Sequence, residues 1–441
     1  MIKTLMILFI QLIVALSFCR ISQGQATNVR NYSDIEWNCD LDSMYGFMRK
    51  THPDLYWKTP QKEFDNLIRE IKSNITYFTD NEIITRFSKL VSRVGDGHTT
   101  LMGSKLSDKY FPVRIEYFKD GYFVTAVAVK YSFLYGARVL KIGNYSSEKA
   151  FEITGNSTIA DNKWSKLYWT PRNLMMSSFL NGLRIIDNTD ILTLQISDIN
   201  GKIKTVEVTG EAFPFPDDQF HMWFWNKNSV PDTNYLNILT ETCDKDILRL
   251  KNSDKPYWFE FLEDYNTLYF CFNSCENSSS DPFPEFIDRL WKAVEIRKPE
   301  KLIIDLRNNF GGTNDYLKPL MEGIISHNQF NQKGHLFVMI SRKTFSAAMH
   351  CASWIEKSAH PVFVGEPTGA APNHYADPDV YKLPNSGLYL LVSSKYWQNS
   401  FPDDKRVWIE PELKVEVDSK EYFNGKDLAL EYILDYAQKK K

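Results

Sequence analysis

Ser346 is the residue of this chain whose type and setting most directly indicate chemistry. It lies in KTFSAAMHCASW (343–354), shortly after the apolar stretch HLFVMIS (335–341), so the pattern predicts a strand, this serine and then a helix. A serine at a helix N-terminus serves either as an N-cap, accepting a backbone N–H, or as a nucleophile, whose oxyanion product the free N–H groups stabilise. Its immediate neighbours leave both interpretations open.

Three histidines are candidates for the base that a nucleophilic serine needs. His98 lies in the glycine-rich segment RVGDGHTTL (93–101), where it could equally be a helix-end histidine that interacts with the helix dipole. His350 lies one helical turn after Ser346 and should point along the helix, and His374 lies in a loop, GAAPNHYAD. His98 is therefore the preferred base. A lysine could also activate the serine. The lysines that follow Ser346 are Lys357 and then Lys382, so residues 358–381 contain none.

Two further segments could complete the site. KLIIDLRNNFGGTND (301–315) predicts a buried strand that ends at Gly311 and Gly312, which are either a ligand-binding backbone or a simple tight turn. SFPDDKRVWIEPELKVEV (400–417) carries Asp403, Asp404 and Glu410. One of these acids could orient the base, or the stretch could be a solvated charged loop.

The elements around these residues change along the chain. Apolar spacing of three and four predicts helices over 34–93, and 108–212 is β-rich, with hairpin turns at Asp120-Gly121 and Asn200-Gly201. Residues 213–254 are irregular and predict a linker. From 255 onwards strands and helices alternate, which predicts an α/β layer architecture.

Composition and the N-terminus bound the class of protein. The chain has 441 residues, 43% of them hydrophobic, and a net charge of −3, which suits two or three domains and no nucleic-acid partner. Residues 1–24 predict a signal peptide and hence export to the periplasm or the medium. Cys19 would permit a lipoprotein, but Phe18 before it disfavours one. The other five cysteines predict neither a zinc site nor a disulfide scaffold, although Cys271 could pair with Cys275 or one of them with Cys243.

Four segments together resemble one family: VGDGHTTL, LIIDLRNNFGG, TFSAAMHCA and VGEPTGAAPNHYAD. In order and spacing they are similar to the tail-specific and tricorn-type serine peptidases, also called C-terminal processing peptidases. The resemblance covers residues from about 35 to 435. It implies an α/β core like that of the ClpP/crotonase superfamily, an N-terminal helical segment and a PDZ-like module.

The resemblance also implies roles for single residues. Ser346 would be the nucleophile, and the oxyanion would bind the N–H of Ala347 with that of Gly311 or Gly312. The tail-specific branch uses a lysine roughly 25 residues after the serine, which would fall at Ala371, inside the lysine-free stretch 358–381. The tricorn-type branch uses a histidine, which matches His98, and an acid after the serine. We expect that acid to be Asp404, then Asp403, then Glu410.

The sequence thus predicts an exported serine peptidase that acts on peptides or unfolded proteins without a metal or cofactor. Its domains would be a signal peptide (1–24), a helical domain (25–107), a PDZ-like module (108–212), a linker (213–254) and the peptidase core (255–441). Two alternatives are a peptide- or ligand-binding protein on the same fold and an esterase with the same catalytic residues. The sequence does not predict the oligomeric state.

Overall fold

The computed structural model describes residues 30–103, 106–212, 235–236 and 247–436, and at 235–236 only the backbone. The predicted signal peptide, Cys19 and Cys243 lie outside the described residues, as does most of the predicted linker. None of the described helices is both long enough and apolar enough to cross a membrane.

Three helices form the N-terminal part, as predicted: α1 (Asp34–Thr51), α2 (Gln61–Asn74) and α3 (Asp80–Ser92). Capping boxes start α1 and α3, because Ser33 and Thr79 each exchange hydrogen bonds with a glutamate three residues later. The apolar faces of the three helices share one core with β-hairpin residues from the C-terminal half.

A seven-stranded sheet follows, and both predicted hairpins are confirmed. Its strands, with the short pair that flanks it, are β2 (Lys109–Tyr110), β3 (Val113–Phe118), β4 (Gly121–Ala128), β5 (Arg138–Ile142), β6 (Tyr145–Ser146), β7 (Ile191–Ser197), β8 (Ile203–Thr209), β9 (Glu211–Ala212) and β10 (Tyr235–Leu236). The sheet order is β10-β4-β5-β7-β8, with β3 on β4 and β6 on β5, while β2 pairs with β9. The helices of this part are α4 (Ser147–Gly155), α5 (Lys163–Asn173) and α6 (Ser177–Gly182). Strand β10 falls within the predicted linker, so that segment adds a strand to this sheet.

The C-terminal half is built on a six-stranded sheet, which confirms the predicted mixed α/β architecture. Its strands are β11 (Tyr257–Leu262), β12 (Thr267–Phe272), β13 (Lys301–Asp305), β14 (Leu336–Ile340), β15 (Val362–Gly365) and β18 (Leu413–Lys414). They lie in that order, all parallel except for the antiparallel β11–β12 pair. The helices are α7 (Phe283–Arg297), α8 (Lys318–Ser326), α9 (Ala347–Ser358), α10 (Ser419–Phe423) and α11 (Leu428–Leu434).

Both faces of this sheet are covered, which explains why its strands read as continuous apolar runs. Alternate residues point to opposite faces, so Leu302 and Ile304 pack with α7, α8 and α9, whereas Ile303 packs with α11. Every residue of β13 and β14 is buried. The loops at the carboxyl ends of these two neighbouring strands therefore meet at one edge.

A third sheet joins the two halves of the chain. Strand β1 (Thr100–Met102) pairs with β17 (Tyr389–Gln398), which forms a hairpin with β16 (Asn373–Lys382). This pairing carries the segment before β1, which contains His98, to the C-terminal half. Cys271 and Cys275 are both free, so the pairing suggested from their spacing is not made.

Candidate active site

Ser346 occupies the N-cap position of α9, but its side chain does not cap the helix. Its backbone angles are φ 49° and ψ −126°, in a region that side-chain-bearing residues rarely adopt. Such strain costs about 1–3 kcal/mol and persists where the surroundings fix it, commonly at functional sites. The cap interpretation of the hydroxyl is therefore wrong.

The hydroxyl of Ser346 instead faces His98. The His98 Nε2 atom lies 3.1 Å from Ser346 Oγ, a hydrogen bond between residues 248 positions apart. Neutral imidazole at Nε2 accepts the serine proton when the ring carries its own proton on Nδ1. The structure thus brings together the two residues that the sequence singled out.

An aromatic column fixes the imidazole ring. The ring stacks on Phe345 with centroids 4.5 Å apart, Phe345 stacks on Phe310 at 4.8 Å, and Phe310 stacks on Tyr168 at 5.6 Å. On the other side His374 lies nearly parallel, 6.0 Å from the His98 ring. The plane of the base is therefore set by packing from the segment before Ser346, the glycine loop and α5.

Burial keeps His98 neutral. Desolvation, with a smaller contribution from the nearby His374, lowers its pKa to about 4, although Asp96, Asp377 and the carbonyl of Tyr375 oppose the shift. At neutral pH the ring is therefore an unprotonated base. Its buried Nδ1 atom has no hydrogen-bond partner of good geometry within the described part of the chain.

The glycine loop after β13 lies directly against Ser346. Gly311 has φ 114°, and a Cβ atom there would come within 2.6 Å of Ser346 Cβ and 3.0 Å of the Ala347 nitrogen. Asn309 holds this loop: its Oδ1 accepts the Gly311 N–H at 2.9 Å, and its Nδ2 donates to the carbonyl of Phe272. The Gly311 N–H is thus already engaged, which leaves Gly312 as the glycine donor of the predicted pair.

The other two histidines have separate partners. His350 Nδ1 lies 2.6 Å from Asn314 Nδ2, and His374 Nδ1 lies 2.9 Å from the carbonyl oxygen of Ala371. Burial lowers both pKa values, that of His350 to about 3. Within the described residues neither ring is hydrogen-bonded to Ser346, in agreement with the preference for His98.

Asp404, the acid predicted to orient His98, binds Arg406 and not the imidazole, so this assignment is corrected. Asp404 binds Arg406, which donates from Nε and from Nη2, and hydrogen bonding to Arg406 lowers the Asp404 pKa. Asp403 is exposed, and exposed Glu410 accepts from Trp408 Nε1. Across the described ranges, no hydrogen bond or ion pair joins any of the three acids to the imidazole. Arg406 binds both Asp404 and Glu356 in one cluster, and this pairing determines which way the Asp404 carboxylate points.

Several residues near the site were not given roles by sequence reasoning. Asn309 was visible only as the end of a strand, and Phe345 and Phe310 only as apolar positions. Asp96, two residues before His98, binds the backbone N–H groups of His98 and Thr99, each at 2.7 Å. An aspartate two residues before a glycine-flanked histidine is a recognisable signal for such a turn.

Comparison with solved structures finds matches that cover most of this chain. CPAF in complex with lactacystin matches with a TM-score of 0.61 at 11% identity, over 92% of this chain and 98% of CPAF. The photosystem II D1 C-terminal processing protease matches with a TM-score of 0.39 at 11% identity, over 89% of this chain and 98% of that protein. The tricorn protease matches with a TM-score of 0.37 at 13% identity, over 92% of this chain and 37% of that protein. No protein-family model matches the chain, and no curated protein matches its sequence.

The likeness to CPAF extends over nearly the whole of both chains. It confirms the predicted resemblance at the level of the fold.

Proposed function

We propose that this protein is a serine peptidase in which Ser346 is the nucleophile and His98 its base. The observation that carries the proposal is the 3.1 Å contact between Ser346 Oγ and His98 Nε2. The strained backbone of Ser346 and the lowered pKa of His98 support it, because both would be costly features without a function.

In the first step Ser346 Oγ attacks the carbonyl carbon of the scissile peptide, and its proton passes to His98 Nε2. The tetrahedral oxyanion would be bound by the N–H groups of Ala347 and Gly312. The dipole of α9 also favours negative charge at this helix N-terminus. The C–N bond then breaks as His98 gives its proton to the leaving amine, and water hydrolyses the ester with His98 as base again.

No carboxylate is needed on the imidazole in this proposal. The ring is oriented by Phe345 and His374, and the carbonyl of Tyr375 acts on it as a hydrogen-bond acceptor would, raising its pKa. A dyad of this kind lacks the negative charge that stabilises an imidazolium in a triad. We therefore expect slower turnover than a triad supports, on peptide or unfolded protein substrates.

Export, the signal peptide and the domain boundaries remain part of this proposal. A PDZ-like role for residues 108–212 fits a sheet whose edge could take up an extended peptide. A binding protein on the same fold remains the second candidate, because among the described residues the Nδ1 atom of His98 lacks the hydrogen-bond partner that a strong base would have. An esterase would use the same two residues on a less demanding substrate.

The experiment compares the chain from Gln25 with its Ser346→Ala and Ser353→Ala variants on a mixed peptide library, read by mass spectrometry. Ser353 is the matched control because it lies on the same helix, is buried and has no hydrogen-bond partner among the described residues. We expect cleavage by the wild type and by Ser353→Ala, and a loss of about four orders of magnitude in Ser346→Ala. Equal cleavage by all three proteins would show that Ser346 is not the nucleophile. Silence of all three on peptides and on ester substrates would favour the binding protein.

A further inference from the structure

A buried carboxylate holds the segment that carries His98. Asp96 is 2% exposed, and its Oδ1 atom accepts three hydrogen bonds. These come from the His98 N–H and the Thr99 N–H at 2.7 Å and from the Ser393 hydroxyl at 2.9 Å. The Thr99 hydroxyl in turn accepts the Ser393 N–H at 3.1 Å. The side chains of Asp96 and Thr99 thus bind both the hydroxyl and the backbone N–H of Ser393 in β17.

The other oxygen of the same carboxylate is paired with a second buried histidine. His52 Nε2 lies 3.0 Å from Asp96 Oδ2, and both side chains are 0% exposed. His52 Nδ1 accepts the Asp54 N–H at 3.1 Å, so the proton of the neutral ring is on Nε2 and is donated to Asp96. His52 itself ends α1, because its N–H binds the Met48 carbonyl. The pair therefore connects the end of α1 to the segment that contains His98.

Other groups complete the surroundings of Asp96. Lys58 Nζ donates to the carbonyls of Gly95 and Asp161, at 3.2 and 2.8 Å. The Asp161 carboxyl group lies against Gly97, where a Cβ would come within 2.6 Å of its Oδ2 atom. The position of the His98 backbone is thus fixed from three directions, by α1, by β17 and by the loop before α5.

We infer that Asp96 and His52 are positioning residues that hold His98 Nε2 within reach of Ser346 Oγ. The inference rests on the proposed function and deepens it. Within the described ranges no carboxylate binds the His98 ring, so the placement of the ring depends on its backbone, and Asp96 is the only described side chain that accepts the His98 N–H. A displacement of about 1 Å at such a base can reduce turnover about 10²-fold.

The test uses Asp96→Asn, with Asp40→Asn as its matched control. Asparagine keeps Oδ1 for the three donors but places an N–H₂ group against the Nε2–H of His52, so two donors face each other. Asp40 is equally buried and accepts three hydrogen bonds, from Asn385 and Ser386, but it joins α1 to the β16–β17 turn. We expect kcat to fall about 10²-fold in Asp96→Asn with KM little changed. Asp40→Asn should lower the melting temperature and leave kcat unchanged.

Variants at His52 keep the inference testable if Asp96→Asn does not fold. His52→Gln retains an N–H donor for Asp96 and should recover most of the kcat that His52→Ala loses. Equal kcat in His52→Ala and wild type would overturn the inference. So would equal losses in Asp96→Asn and Asp40→Asn, since the effect would then be one of stability.

A second readout does not depend on activity. The imidazole C–H resonances of His98, assigned by comparison with His98→Gln, report its ring position in each variant by NMR. We expect them to shift or broaden in Asp96→Asn and not in Asp40→Asn; unchanged resonances would contradict the inference. If the wild type were inactive and the resonances still moved, the positioning role would stand and the proposed peptidase activity would fail.

Discussion

Two features at the residue scale separate Ser346 from an ordinary helix cap. Its φ of 49° turns the hydroxyl away from the N–H groups of its own helix, and the hydroxyl reaches His98 instead. A capping serine has extended backbone angles and accepts from the second or third residue after it. Ser146, which has φ −60° and accepts the Lys149 N–H, caps α4 in this ordinary way.

The acid limb of the pH–rate profile should follow His98. The proposed base must be unprotonated, and burial lowers its pKa from the usual 6.5 to about 4. We therefore expect kcat/KM to stay level as the pH falls through 6.5 and to decline only near pH 4, measured over a range in which the chain remains folded. A midpoint at 6.5 or above would show that the base is solvated or is another group.

Asp404→Asn should leave turnover nearly unchanged. The Asp404 carboxylate binds Arg406, which also binds Glu356, so the change should affect this surface cluster and not the base. We expect kcat within about threefold of wild type and a stability loss of about 1 kcal/mol or less, as for exposed ion pairs. Steady-state kinetics on the substrate found for the wild type measure this. A loss of several orders of magnitude would restore Asp404 as the third catalytic residue.

At the scale of elements, the site depends on two loops at neighbouring strand ends. The loop after β13 supplies the glycines, and the loop after β14 supplies Ser346. Parallel strands bring their carboxyl ends to one edge of the sheet, where ligands commonly bind. The backbone of Phe345 donates to the Asn309 carbonyl at 3.3 Å, so the two loops are also joined directly.

Gly311→Ala should reduce turnover, because the added Cβ displaces Ser346. The added Cβ would lie 2.6 Å from Ser346 Cβ, so Ser346 must move. Gly103→Ala is the matched control: its φ is 115°, against 114° for Gly311, but among the described residues its Cβ would meet only the Tyr389 ring, at 3.4 Å. We expect Gly311→Ala to lower the melting temperature more than Gly103→Ala, because only its Cβ clashes with fixed atoms, and to lower kcat about 10²-fold or more, while Gly103→Ala keeps the wild-type kcat. Equal kcat values would contradict the close packing of the loop on the serine.

Sequence patterns predicted most of these elements and fewer of their contacts. Apolar runs and turn residues located β13, β14 and α9, because burial on both faces leaves a plain signal. Pairing of β1 with β17 joins residues far apart in sequence and has no local signal. The predicted role of Asp404 was wrong for a related reason. Arg406, two residues away, determines where the Asp404 carboxylate points, and the imidazole, which is distant in sequence, does not. The role of His52 was hidden in the same way, because it lies 44 positions from Asp96.

At the scale of the whole molecule, three parts of the chain must fold together to form the site. His98 follows the N-terminal helices, Tyr168 comes from α5, and Ser346 lies in a loop of the C-terminal half. Buried ionisable groups lie where these parts meet, and Asp161 is a carboxyl group among them whose pKa is raised. Desolvation and the charge of Asp96 raise it from 3.8 to about 8, while Lys58 lowers it.

The dependence of stability on pH should reveal Asp161. Between its unfolded pKa of 3.8 and its folded pKa of about 8, the folded chain holds a proton that the unfolded chain releases. This group therefore makes the fold less stable as the pH rises to about 8, and Asp161→Asn removes the effect. His98, His350 and His374 contribute equally to the pH dependence of stability in wild type and in Asp161→Asn, so their contributions cancel in the difference.

Thermal unfolding of wild type and Asp161→Asn between pH 5 and about pH 9 measures the difference. We expect the melting temperature of the variant to rise relative to wild type up to about pH 8 and the difference then to level off. A difference that is constant across this range would show that Asp161 is ionised throughout in the folded chain.

The most direct test of the account is covalent labelling of the intact protein by a fluorophosphonate, followed by peptide mapping. Such probes phosphonylate a serine hydroxyl that a neighbouring base has activated. The account predicts one adduct, on Ser346, which Ser346→Ala abolishes and Ser353→Ala retains, and whose formation His98→Gln slows by orders of magnitude. Labelling that is absent, or that His98→Gln leaves at the wild-type rate, would contradict the claim that these two residues form a catalytic pair.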